Sequence, residues 1–170
     1  MQIKALTEAL DPRQLEDLCA LLIDAFEGGA SLGFLKPSEY ERAQAYWEGV
    51  SKAVQAGDRA LLVAEIEGAI LGTVQVVLDM PQNQPHRGEI SKMIVHTKVR
   101  QLGLGMRLLG AAEERAQLAG KSLLVLDTQT GSAAEHLYRK ASYSPLPPLP
   151  DYALTPDGVL APTTIFWKRI

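Results

Sequence analysis

Apolar residues recur along this chain at two different periods, and the switches between them predict alternating β and α elements. Met1 to Leu6 reads as a short strand. Asp11-Pro12-Arg13-Gln14 then supplies an N-cap, a first-turn proline and a Gln three residues past the cap. Leu15, Leu18, Cys19, Leu22, Ile23 and Phe26 follow at helical spacing. An unusually apolar, glycine-rich loop from Gly28 to Leu35 leads to Pro37 and to Ser38-Glu39-Tyr40-Glu41, the capping box of a second helix. Tyr40, Ala43, Trp47, Val50 and Val54 mark its inner face, and it stops near Gly57. Arg59 to Ile66 and Ala69 to Leu78 read as strands, with Glu67-Gly68 as a hairpin turn between them. Beyond the polar stretch Pro81 to His86, another strand runs from Arg87 to about His96.

The alternation continues to the carboxyl end. A helix carries Leu104, Leu108, Leu109, Ala112 and Ala116 and closes at Gly120. The apolar run Ser122 to Asp127 suits a strand buried on both faces. Strand, helix and strand within about 40 residues form a parallel crossover unit. Gly131-Ser132-Ala133-Ala134-Glu135 is a loop and capping box, so a helix starts at Ser132 with Ala134, Tyr138 and Ala141 on one side. Proline-dense Pro145 to Pro150 reads as an ordered connection inside a single domain spanning residues 1–170. Side chains alternate along a strand, so Glu89, Ser91, Met93 and Val95 share one face unless a bulge shifts the register.

Composition narrows the class. The formal charge of −3 argues against a nucleic-acid partner, which usually meets a basic stripe. No apolar run approaches the about 18 residues that span a bilayer, so no membrane partner is expected. The one cysteine, Cys19, belongs to the apolar stripe of the first helix and reads as a packing residue. Without a disulfide, a cytoplasmic location is the expectation. His86, His96 and His136 lack metal-ligand spacing, so no metal is expected.

The stretch Val99 to Leu109, VRQLGLGMRLL, carries the first chemistry. Its glycines fall where a helix begins, and unpaired N–H groups and the positive end of the dipole there favour phosphate. Arg100 adds a fixed positive charge, and a pyrophosphate is the ligand this pattern suggests. A Walker loop is absent. A dinucleotide fingerprint would need a small residue where Leu108 stands, although Asp127 lies at a suitable distance to imitate its ribose-binding acid. A plainer alternative stays open, in which Gly103 and Gly105 serve only a tight turn or close packing.

Arg100-Gln101-Leu102-Gly103-Leu104-Gly105 resembles the pyrophosphate loop of the GNAT N-acetyltransferases, which bind acetyl-coenzyme A. Leu137-Tyr138-Arg139-Lys140-Ala141-Ser142-Tyr143 is similar to a second motif of that family, in the right order and at a suitable separation. Gly28-Gly29-Ala30-Ser31 with Gly33-Phe34, Leu126-Asp127-Thr128 with Gly131-Ser132, and Tyr152 with Thr155-Pro156-Asp157-Gly158 and Pro162-Thr163 resemble the tabtoxin-resistance acetyltransferases. The resemblance implies an α/β (α+β) fold. Its sheet is mixed, twisted and mostly antiparallel, with a parallel, splayed central strand pair and helices on both faces. The splayed strands would be Glu89 to His96 and Ser122 to Asp127.

The resemblance also implies roles. Leu102, Gly103, Leu104, Gly105 and Met106, with Arg100 and Gln101, would hold the pyrophosphate, with Ser132 and Ala134 also on the cofactor. The backbone of Met93, Ile94 and Val95 would lie along the pantetheine, where an N–H could polarise the thioester carbonyl. Many family members have Asn where Gly131 stands, so that contact is absent here or supplied by Ser132. An amine nucleophile must lose a proton, and Glu89 and Asp127 are brought forward as acid/base or amine-binding residues. The alternative is that Asp127 satisfies a loop and Glu89 is a solvated strand-end charge. Tyr138 would donate to the coenzyme A sulfur, or else is a packed aromatic.

The expected activity is acetyl transfer from acetyl-CoA to a primary amine of a small molecule, with an amino-acid-like or β-lactam toxin among the candidates, by direct attack in a ternary complex. The loop Gly28 to Leu35, including Ser31 and Phe34, and the segment Asp151 to Gly158 would wall the acceptor pocket. Tyr40, Trp47 and Tyr152 are candidate lining residues. A protein or peptide acceptor, a non-catalytic CoA sensor and a homodimer are the other expectations.

Overall fold

In the computed structural model, which describes residues 1–33 and 40–170, the alternating pattern becomes one eight-stranded sheet with helices on both faces. In chain order the elements are β1 (Gln2–Leu6), α1 (Pro12–Glu27), α2 (Tyr40–Gln55), β2 (Arg59–Ile66), β3 (Ala69–Val77), β4 (Arg87–Val95), α3 (Leu104–Leu118), β5 (Leu123–Gln129), α4 (Ala133–Lys140), β6 (Ser144–Pro145), β7 (Leu149–Leu154) and β8 (Leu160–Arg169). The strand order is β1-β2-β3-β4-β5-β8-β6, with β7 also paired to β8. All pairs are antiparallel except β4 with β5. That parallel ladder holds only Arg87 to Leu123, Gly88 to Leu124 and Glu89 to Val125. Past Glu89 the two strands part and a gap opens between them.

Local chemistry sets the helix starts. Asp11 caps α1, its side chain accepting from Gln14 N at 2.8 Å while Gln14 Oε1 accepts from Asp11 N at 3.1 Å. Ser132 caps α4, accepting from Glu135 N at 3.3 Å. The capping box read at Ser38 and Glu39 lies outside the described residues. Glu67 and Gly68 take the two positive φ values, 51° and 82°, that the hairpin between β2 and β3 requires.

Alternate strand residues feed two apolar cores. Ala60, Leu62 and Ala64 of β2 with Val74 and Val76 of β3 pack under Leu104, Leu108, Leu109, Ala112 and Ala116 of α3 and Tyr138 of α4. Leu61 and Val63, on the opposite side of β2, pack with Leu18, Leu21 and Leu22 of α1 and Trp47 and Val50 of α2. Burying each such large side chain contributes about 1.5–3 kcal/mol.

Four expectations need correction. Ile90 belongs to the α3 core and Ile94 to the α1–α2 core, although an offset of four positions would put both on one face of a regular strand. The pairing explains this, because Gln75 faces Ser91 but Thr73 faces Ile94, which leaves one extra residue in β4. Lys92 absorbs it with φ 48°. Glu89 and Ser91 therefore share the α1–α2 face, while Met93 and Val95 turn to the α3 face. Second, β5 is buried on one face only, through Leu124 and Leu126; the other face of β5, with Val125 and Asp127, borders the gap and lies beyond the helix cover. Third, Pro145 and Pro150 are not in a plain connection but in β6 and β7, both paired to the ten-residue β8. Fourth, Trp47 is fully buried between α1, α2 and the sheet, so it packs the core rather than lining an open pocket.

Candidate active site

The gap between β4 and β5 is bordered by the amino end of α3, and the turn before that helix is shaped by two left-handed residues. Gln101 has φ 64° and Gly103, the N-cap, φ 77°; no side chain caps the helix. The first N–H to find a partner at the cap is that of Arg107, which donates to Gly103 O at 3.2 Å. The donors of Leu104, Gly105 and Met106 are thus the unpaired first turn that an anion satisfies. Gly105 has a separate reason to lack a side chain. A Cβ there would lie 3.2 Å from Leu137 of α4, so the glycine lets α4 close against α3. Leu102 stands 72% exposed at the tip of the turn, where it shields none of these donors.

The connection that presents this turn is tied down from α1. Thr97 donates through its N–H and hydroxyl to the two carboxylate oxygens of Asp24, at 2.9 and 2.6 Å. Burial alone would push the Asp24 pKa up; the Thr97 hydrogen bonds, with the charges of His96 and Arg100, hold it below the ordinary carboxylate value. Arg100 also makes contacts within the fold. Its Nε donates to Val95 O at 3.1 Å, and its guanidinium packs on the backbone of Gly28, so it staples the end of β4 to the end of α1.

On the other side of the gap, Tyr138 is 5% exposed, with its ring 5.9 Å from Phe166 and 6.0 Å from Tyr143. Burial, and next the negative charge of Asp127, push its pKa well above the ordinary tyrosine value. The phenol therefore keeps its proton throughout the working range of an enzyme and retains an O–H to donate. Ser132, beside it on α4, is engaged by Thr128 at 3.1 Å as well as by Glu135 N. Ala134 is half-buried on the same helix, packed against the α3 core.

The α1–α2 face of the gap is polar. The carboxylates of Asp127 and Glu89 both act electrostatically on Lys92 and oppose the lowering of its pKa by burial and by Arg59. Glu89 also pairs with Arg87 at 3.6 Å, with its side chain 43% exposed. Ser31 is exposed in the loop that ends near Lys92, where a Cβ on Gly33 would lie 3.9 Å from Nζ. Tyr40 turns its hydroxyl toward Cys19 of α1. Tyr152 is 53% exposed on β7. Phe34 lies outside the described residues.

Sequence reasoning missed Tyr46, Arg59, Gln75, Lys92 and Asp24. Tyr46 Oη meets Gln75 at 3.1–3.2 Å, and Gln75 Oε1 also accepts from Arg59. The neighbouring Trp47 fits the apolar stripe of α2 and draws attention away from Tyr46. Regular alternation would put Lys92 on the face of Ile90, and the bulge turns it to the opposite face, against Tyr46. Among the described residues no group of three His, Cys, Asp or Glu side chains is placed to hold a metal ion, and no helix is long and apolar enough to cross a membrane.

Comparisons with known proteins agree with this architecture. An uncharacterized N-acetyltransferase encoded in the hisH-hisA intergenic region of Azospirillum brasilense is 32% identical over 124 residues, 72% of each chain. A ribosomal-protein-alanine N-acetyltransferase from Brucella melitensis superposes with a TM-score of 0.80 over 100% of both chains at 22% identity. The structure of yncA from Salmonella typhimurium with its cofactor acetyl-CoA gives 0.79 at 17% identity, covering 99% of this chain and 94% of that one. At such identities the two structures speak to the fold. The profile of the acetyltransferase (GNAT) family matches residues 15–143, so with this sheet, this gap and this helix start the chain belongs to the GNAT acetyltransferases.

Proposed function

We propose that this chain transfers an acetyl group from acetyl-CoA to a primary amine of a small molecule, by direct attack in a ternary complex. The observation that carries the reading is the opening of the parallel ladder past Glu89 and Val125, next to a helix start whose donors are unpaired. Bound acetyl-CoA supplies the activated thioester acetyl. Leu104, Gly105 and Met106, presented by Gly103, would hold its diphosphate through backbone N–H groups, with Met93 and Val95 bordering the pantetheine arm. The nearby charge of Arg100 adds long-range attraction. Asp127 and Glu89 lie where an ammonium could give up a proton, directly or through water. Tyr138 stays protonated and donates a hydrogen bond toward the departing sulfur. Complete proton transfer from it would run uphill, because a thiol is the stronger acid.

The finer kinship to the tabtoxin-resistance acetyltransferases belongs to this proposal and rests on the motifs around Gly28, Asp127 and Thr155. A cytoplasmic location and a homodimer belong to it too. The dimer is supported by exposed Leu149, Tyr152, Val159 and Leu160 on and beside the β7–β8 hairpin, and light scattering of the purified chain tests it.

Thiol release from acetyl-CoA over amino acids, polyamines, β-lactams and peptides, with the product identified by mass, is the main test. One small-amine class is expected to be acetylated, and Asp127→Asn is expected to lower kcat/KM for it about 100-fold with acetyl-CoA affinity retained. Tight CoA binding in calorimetry with no amine turned over would instead mean a sensor. Acetylation confined to peptides would mean a protein acceptor.

A further inference from the structure

Two rings meet Tyr138, and each has a cation over it. Cζ of Arg139 lies 5.5 Å from the centroid of Phe166, and Nζ of Lys168 lies 5.3 Å from that of Tyr143. Each cation is held in turn by a carboxylate. Glu113 accepts from Lys168 Nζ at 2.8 and 2.9 Å, and Glu135 Oε1 accepts from Nε and Nη2 of Arg139 at 3.2 and 2.6 Å. The second of these pairs reaches further. Glu135 Oε2 accepts from Gly131 N at 2.5 Å, so one carboxylate joins the turn between β5 and α4 to the ring stack around Tyr138.

An ordinary capping box would not build this link. In such a box the carboxylate takes the N–H of the cap residue, but the N–H of Ser132 is spent on Gln129 O at 3.2 Å, and Glu135 reaches back past it to Gly131. Glu135 is buried, which is costly for a carboxylate unless hydrogen bonds offset it. The Gly131 N–H first, and Arg139 next, hold its pKa below the ordinary carboxylate value against that burial, so it stays ionised. The side chain of Arg139 is half exposed, and an i,i+4 ion pair with an exposed partner contributes little to stability. What the pair contributes is orientation. Two N–H groups on one oxygen, with the guanidinium over Phe166, fix where that side chain stands.

Resting on the acetyl-transfer reading, we propose that Glu135 is a positioning residue for Tyr138. Through Arg139 and Phe166 it sets the ring whose hydroxyl donates to the coenzyme A sulfur, and through Gly131 it ties that ring to the turn that carries Ser132. A hydrogen bond weakens steeply once its donor is displaced or tilted, so a loosened stack costs the sulfur its donor. The N–H donors at the start of α3 lie outside this chain of contacts.

CoA and desulfo-CoA, which lacks the sulfur, separate the outcomes without any acceptor. Both are titrated calorimetrically into the intact protein at pH 9, where a thiol of ordinary pKa is largely ionised and the buried phenol is not. Wild type is expected to bind CoA about tenfold more tightly than desulfo-CoA. Tyr138→Phe is expected to bring that ratio close to one. Glu135→Gln, which keeps the shape and loses the charge, is expected to lower it to about threefold while the affinity for desulfo-CoA holds. In thiol release with the best amine of the panel, Glu135→Gln is expected to lower kcat about tenfold alone but less than about twofold in a Tyr138→Phe background, where nothing is left for it to position. Should Glu135→Gln fail to fold, judged by its melting curve, Arg139→Met cuts the same chain of contacts and carries the same readouts. Variants that weaken both ligands alike, an unchanged ratio, or equal losses of kcat in the two backgrounds overturn the assignment while leaving acetyl transfer to amines intact. No binding of CoA at all overturns both.

Discussion

The two faces of the sheet at the β4–β5 gap are built from opposite materials. On the α3–α4 face the strands present Ile90, Met93, Val95, Leu124 and Leu126, and the neighbouring helices add Leu137 and Tyr138. In the proposed reaction, recognition there would fall to backbone donors and to shape. On the α1–α2 face the same strands present Glu89, Ser91, Lys92 and Asp127 beside Arg59, Gln75 and Tyr46. In the proposed reaction this is the face left for the acceptor. A single extra residue in β4 separates the two materials, since without it Met93 and Val95 would share the face of Glu89. In the proposed reaction the first face serves a cofactor that stays the same at every turnover, and the second serves the partner that defines the enzyme.

The contrast can be broken in three places. The largest effect is expected from Tyr138→Phe, which keeps the ring packed on Phe166 but removes the donor. Its kcat should fall about 10²–10³-fold, with little change in melting temperature. Because burial holds this phenol above its ordinary pKa, wild-type kcat should show no alkaline inflection from it below about pH 10. If Tyr138→Phe also changed which amines are acetylated, the division between the faces would be wrong.

Gly105→Val comes next. The added side chain meets Leu137, whose position a Cβ alone would approach at 3.2 Å, so α4 must move. A displacement of that kind costs about 100-fold in kcat/KM for acetyl-CoA and about 1–3 kcal/mol in stability, readable as a lower Tm. The preference among acceptor amines should hold.

Asp24→Asn is expected to have the smallest effect, an increase of about fivefold in the KM for acetyl-CoA, because the Thr97 anchor is weakened rather than removed. It also has a pH signature. The Asp24 pKa is depressed in the folded chain, so its stabilisation is present above the unfolded carboxyl value of about 4 and is lost as pH falls through the folded value. The gap in Tm between wild type and Asp24→Asn should be widest near neutrality and close below about pH 4.

Much of the fold is legible in local sequence because its signals are local. Asp11 and Ser132 mark helix starts through hydrogen bonds that span three residues. Glu67-Gly68 marks a turn that needs positive φ. β8 escaped notice because Pro162 interrupts the run Leu160 to Arg169, and a proline inside a strand pattern argues against a strand. Pro162 has no N–H to give, but its carbonyl still accepts from Thr130 N at 3.0 Å. The candidate site divides in the same way. The glycine turn is readable, whereas Tyr46 is hidden beside Trp47 and the face that Lys92 takes depends on the bulge.

The sequence by itself determined the order of the elements and the anion-seeking turn before α3, because periodicity and backbone conformation act over a few residues. Only the tertiary structure decided which face each β4 residue occupies and which charges meet across the gap. Those charges come from separate strands, and one bulged residue sets their alignment. Alternation counted along the chain carries no record of it.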